Sequence, residues 1–100
     1  MKRRYLLLQI ESGETFTQDE VMSTIWKAVT KLYGETGASK TGLSLIEYDQ
    51  MQRTATVRVL LNAAGPARAS IASVTEIRGR PVALHVLKVS GSIRGLGKPK

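Results

Sequence analysis

The sequence predicts an α/β sandwich of the ferredoxin-like type, βαββαβ, with a four-stranded antiparallel sheet and two helices on one face. Three observations predict it. Four apolar runs have strand length, two segments repeat their apolar residues at helical spacing, and their order within 100 residues is strand, helix, strand, strand, helix, strand. A chain of that length makes one domain, and 42% hydrophobic with 23% charged residues is the balance of a globular protein.

Residues 4–11 are mostly apolar and end at a turn, Ser12-Gly13-Glu14, as a buried strand does. Thr17 stands three before Glu20, a capping box, and Phe16 with Val21 supplies a hydrophobic staple across the same helix start. Val21, Ile25, Val29 and Leu32 then form one stripe, with Met22, Trp26 and Tyr33 beside it as further core, and Gly34 is placed to end a helix over 18–33. In so small a core, Leu32 or Tyr33 is open to sharing with a partner protein. A Gly/Ser/Thr-rich loop over 34–42 leads to a second strand at 43–48, a turn at 49–52 and a third strand at 53–61. In the third strand Ala55, Val57, Val59 and Leu61 alternate with Thr54, Thr56, Arg58 and Leu60, which sets a buried face against one carrying Arg58. Pro66 suits the first turn of a second helix whose stripe is Ile71, Val74 and Ile77, and 81–89 reads as the last strand.

Charge is distributed unevenly. Residues 1–49 hold six bases and seven acids, net −1, whereas 50–100 hold nine bases and the single acid Glu76, net +8. Beyond Glu76 come Arg78, Arg80, Lys88, Arg94, Lys98 and Lys100, the pattern of a surface that faces a polyanion, with a solvated basic face as the plain alternative. The closing residues, about 95–100, are expected to form a short basic flexible tail. The chain has no cysteine, which excludes disulfides and thiolate chemistry and suits a reducing cytoplasm. No run of about 18 apolar residues exists to span a membrane, and the signal-like start at Lys2 is broken at Gln9.

Whether the chain alone is an enzyme stays open from its residues, and no catalytic residue is expected. His85, the one histidine, lies mid-strand among Leu84, Val86 and Leu87, where a structural or RNA-contacting role is expected. Glu47 and Asp49 share a strand face but are too few to suggest a two-metal site. The segment 34–41 imitates a phosphate-binding loop, yet Ser39 replaces its second glycine and it follows a helix instead of a strand; Lys40 there remains open to touch phosphate. Among strand residues only Tyr5 and Tyr48 are aromatic, so RNA is expected to be held through phosphate and sugar rather than stacked bases.

Five segments in order carry a family resemblance: Arg4-Tyr-Leu-Leu-Leu-Gln-Ile10, Ile25-Trp-Lys-Ala28, Thr56-Val-Arg-Val59, Val74-Thr-Glu-Ile-Arg-Gly79 and Val89-Ser-Gly-Ser-Ile-Arg94. Over about 4–95 the chain resembles the archaeal ribonuclease P protein component 2 family, which is shared with a eukaryotic subunit of ribonucleases P and MRP. The resemblance implies a ferredoxin-like accessory subunit of a ribozyme that removes the 5′ leader from precursor tRNA, the holoenzyme being the endonuclease and its RNA the catalyst. It implies binding to the catalytic domain of that RNA, pairing with protein component 3 in a two-plus-two assembly, and magnesium held by the RNA with no cofactor on this chain. By the same resemblance Gly91, Ser92 and Arg94 form a close RNA-approach point, unless they are a plain turn, and Arg4 and Arg58 meet RNA or a partner, or lie solvated. Members of the family commonly continue into a helical extension, whereas this sequence ends at Lys100, which leaves the contacts of that extension open. The alternative is a structural protein of another ribonucleoprotein such as the ribosome.

Overall fold

In chain order the elements are β1 (Arg3–Glu11), α1 (Gln18–Ser39), β2 (Ser44–Asp49), β3 (Thr54–Leu60), α2 (Ala64–Ala72), β4 (Glu76–Ile77), β5 (Arg80–Pro81) and β6 (Ala83–Ser90). They come from a computed structural model that describes residues 2–96. The main sheet has the order β2-β3-β1-β6 with every neighbouring pair antiparallel, the ferredoxin-like arrangement that the sequence predicts. Period-two alternation decides the faces. Leu6 pairs with Val57 and Leu8 with Ala55, and these residues join Ile10, Val59 and Leu84 in one buried cluster with Val21 and Ile25 of α1 and Ala67 and Ile71 of α2. Both helices therefore cover the same face.

Helix α1 starts as its signals require. The Glu20 amide donates to Thr17 Oγ1 at 3.2 Å and the Thr17 amide donates to Glu20 Oε1 at 2.9 Å, while Phe16 and Val21 are buried on either side. Tyr48 Oη (2.6 Å) and Gln50 Nε2 (3.0 Å) both donate to the Phe16 carbonyl, fixing the chain that enters the helix. Gly34 takes φ 78°, the left-handed conformation expected of a cap, but helix resumes beyond it to Ser39. The expected loop over 34–42 is thus largely a helical turn, locked by Thr41 Oγ1 donating to the Ala38 carbonyl at 2.7 Å with Ala38 buried. The buried stripe ends at Val29. Leu32 is 57% exposed and Met22, Trp26 and Tyr33 lie half-buried at the margin, which corrects their assignment to the core.

The second half departs further from the periodic reading. Helix α2 ends at Ala72, and the spacing of Ile71, Val74 and Ile77 that suggests a longer helix has another cause. Ile77 reaches the core from β4, which pairs with β5 through Arg78 (φ 52°) and Gly79 (φ 76°). Two central residues with positive φ define the tight hairpin turn whose twist matches the strands. Pro81 belongs to that hairpin and has no amide to donate, so the last strand begins at Ala83 instead of 81. Opposite β1 it carries an irregularity at Leu87, since Lys88 faces Leu7 and Val86 faces Leu8.

The hairpin is fastened to the start of α1. Arg80 Nη2 lies 2.8 Å from Glu20 Oε2, its Nη1 lies 3.3 Å from Glu14 Oε1, and its guanidinium sits 4.7 Å from the Phe16 ring centre. Arg78 Nε adds a contact of 3.5 Å to the same Glu20 oxygen. The amide of Thr17, and after it the charges of Arg80 and Arg78, hold the Glu20 carboxyl below the ordinary glutamate range against an opposing desolvation. A depressed carboxyl stabilises the fold above its unfolded pKa and loses that stabilisation as pH falls through its folded value. Comparing wild type with Glu20→Gln by urea unfolding, the stability gap should be full near neutrality and close as pH drops below about 4.5; a gap independent of pH would show that the charge of Glu20 contributes nothing. Ile25→Ala, at a fully buried position, should lower unfolding free energy by about 2–5 kcal/mol in the same assay.

Candidate nucleic-acid interface

Strand register places three groups of the expected basic residues on different parts of the molecule. On the sheet face away from the helices, Arg58 of β3 lies between Tyr5 of β1 and Ser44 of β2, with Leu7, Thr56 and Lys88 in the next row. Arg58 is half-buried, and its Nε and the Thr56 hydroxyl are buried without a hydrogen-bond partner. Tyr5 stands on this face, whereas Tyr48 pairs with Ala55 and turns to the core, where burial raises its phenol pKa. Stacking on two aromatic rings is therefore not available to this face. His85 is exposed there with Nε2 2.7 Å from Glu11 Oε1, and Asp49 Oδ1 accepts the Gln52 amide within the β2–β3 turn at 3.0 Å.

The second group lies at the end of β6. Ser90 Oγ accepts the Ser92 amide at 3.3 Å, Ser92 Oγ accepts the Gly95 amide at 3.1 Å, and a short helical turn, Arg94–Leu96, brings Leu96 into a buried position. Leu96 is thus buried and Gly95, though exposed, belongs to the same turn, where the sequence predicts the start of a tail; Lys98 and Lys100 lie outside the described residues. Among the glycines here the tight one is Gly95, where a Cβ would collide with Ser90 Oγ. Gly91, the residue expected to permit close approach, is exposed beside Arg4, whose Nη1 would sit 3.2 Å from an added Cβ and donates to the Arg3 carbonyl at 3.1 Å. Arg4 and the Gly91–Arg94 loop therefore adjoin, with Arg94 exposed and making no ion pair with a described residue.

The third group is the hairpin. Arg80 is committed to Glu14, Glu20 and Phe16, which fits a structural cation, while the Arg78 side chain is 72% exposed and uses only its Nε. Lys40 is exposed at the end of α1, apart from the hairpin in the chain. Lys27 and Lys31, four residues apart on α1 and both exposed, are cations that sequence reasoning missed, although their i, i+4 spacing is visible in the sequence. Counting charge by halves of the chain hides them in the acidic half.

The Rpp14/Pop5 family matches residues 4–98. A ribonuclease P protein component 2 of Pyrococcus abyssi is 34% identical over 97 residues, covering 97% of this chain and 82% of the relative. One of Methanocaldococcus jannaschii is 33% identical over 106 residues, covering 99% of this chain and 78% of the relative. A chain in the cryo-EM structure of yeast ribonuclease MRP superposes with a TM-score of 0.74 at 20% identity, over 91% of this chain and 75% of that one, which agrees in fold. Shared sequence over the whole sheet and both helices, together with that fold, makes this chain a member of the Rpp14/Pop5 family.

Proposed function

We propose that the chain is a protein subunit of ribonuclease P that binds the catalytic RNA and supports its cleavage of the 5′ leader from precursor tRNA in the cytoplasm. The observation that carries the reading is the family relation over residues 4–98, with relatives that are ribonuclease P components. A ribosomal scaffold has no support among them. Within the fold His85 lies against Glu11, Asp49 accepts a hydrogen bond inside its turn and Glu20 contacts two arginines.

In this reading the RNA holds magnesium and performs the reaction, and the protein contributes fixed cations. Arg58 and Arg94 are the strongest of those expected from the sequence. One is half-buried with an unsatisfied Nε on the open sheet face and the other is exposed beside Arg4. Guanidinium groups bind phosphate bidentately and neutralise it without reading base sequence. Ribonuclease P protein component 3 is the proposed protein partner, in a two-plus-two assembly, and half-exposed Trp26 with exposed Leu32 offers apolar surface on α1 for such contact.

A tagged chain isolated under native conditions should bring down one structured RNA and a magnesium-dependent activity that removes the precursor-tRNA leader and dies when the RNA is digested. Recovery of ribosomal RNA, or leader cleavage that survives RNA digestion, would overturn the reading. With the isolated RNA, Arg58→Gln with Arg94→Gln should weaken binding and make the dependence of log K on log salt shallower by about 2. An unchanged slope would mean that neither arginine meets phosphate.

A further inference from the structure

An open groove of about 470 Å³ runs between α1 and the segment that joins α2 to the β4–β5 hairpin. Lys27 and Lys31 line it from α1 and Arg78 from the hairpin turn, against one acid, Glu76. We infer that this groove seats a stretch of RNA phosphate backbone, a second contact beyond Arg58 and Arg94, with Lys27, Lys31 and Arg78 as its cations. The inference rests on the reading of the chain as a ribonucleoprotein subunit.

Four features favour a polyanion here. The two lysines are exposed and make no ion pair with a described residue, unlike Arg80 of the same hairpin. Like charges at i, i+4 repel along a helix, so the pair weakens α1 and has no compensating partner within the described chain. On flexible stems their ammonium groups can reach successive phosphates of one strand. Arg78 faces them across the groove with only its Nε engaged, at 3.5 Å from Glu20, which leaves its terminal nitrogens to bind a phosphate.

The lining also determines how the strand is read. Ala28 and Val74 offer small apolar side chains, Gly79 offers none, and among the described residues no aromatic one lines the groove for a base to stack on. Thr24 and Ser73 already donate their hydroxyl protons, to the carbonyls of Glu20 at 2.8 Å and Ser70 at 2.6 Å, so Thr75 is the hydroxyl of the lining left to donate outward. Contact is therefore with phosphate, independent of base sequence. The backbone of Gly79, at φ 76°, both closes the hairpin and sets Arg78 opposite α1.

The test uses the full chain and the RNA recovered with it. Lys27→Gln with Lys31→Gln preserves helix propensity and disturbs no ion pair, so the protein remains folded. The double variant should bind that RNA more weakly, with a salt slope shallower by about 2, and adding Arg78→Gln should flatten it by about 1 more. Lys27→Arg with Lys31→Arg should restore the slope. A double variant with wild-type affinity and slope overturns the groove as an RNA site while leaving the subunit reading standing. So does a double variant that binds RNA normally but no longer holds its protein partner, which would assign the groove to an acidic protein segment. Failure of the wild-type chain to bind any RNA would remove the subunit reading and the groove together.

Discussion

The fold depends on the first strand, which, like β3, has two neighbours in the sheet but finds neither of them close by in the chain. β1 is central, with Leu6, Leu8 and Ile10 buried and both of its backbone edges paired, yet its partners begin about 50 and 80 residues later. Neither ladder is local, and closing such pairs requires the intervening chain to be ordered first. The capping box at Thr17 and the hairpin at Arg78-Gly79 answer that need, because each defines local structure from a few adjacent residues. Glu20 links the two devices: one carboxylate completes the cap and receives both hairpin arginines.

The same constraint separates the charges. Acids that sit near the sheet ends are matched within the fold: Glu11 by His85, Glu14 and Glu20 by Arg80. Such exposed or half-exposed pairs add little stability individually, but they determine which cations are left for a partner. Arg80 is taken. Arg94, Lys27 and Lys31 are not paired to a described acid, and Arg78 is held by one nitrogen only. Of the bases behind the net charge of +7, intramolecular pairing thus leaves these wholly or partly unengaged by a described acid.

The outline of the fold is legible in the sequence because its signals are local and redundant. Alternation in 54–60, the Thr17/Glu20 spacing and Pro66 each act within a few residues, and all point to the observed element. Where the reading fails, two structures share one pattern. Ile71, Val74 and Ile77 have helical spacing, but Ile77 reaches the same core from a hairpin, and only the left-handed backbone at Arg78, unusual for a side-chain-bearing residue, distinguishes the cases. Leu32 keeps the helical period of the core stripe, seven residues on from Ile25, yet continuous burial stops at Val29 and Leu32 lies outside the cluster that the sheet and α2 cover.

Legibility is lower for the site, for a reason that follows from long-range pairing. A cation is available only if no acid reaches it, and the acids that reach Arg80 stand 60 and 66 residues away in the chain. Sequence spacing shows Lys27 and Lys31 on one helix face, but the groove opposite them exists only once the hairpin has folded back against α1. Close contacts of glycine are hidden in the same way: a Cβ on Gly95 would meet the Ser90 hydroxyl, which sequence spacing does not show. Packing of Leu96 against the sheet end then orients the Arg94 turn, so the surface offered to a partner is set by an apolar anchor rather than by the cation itself.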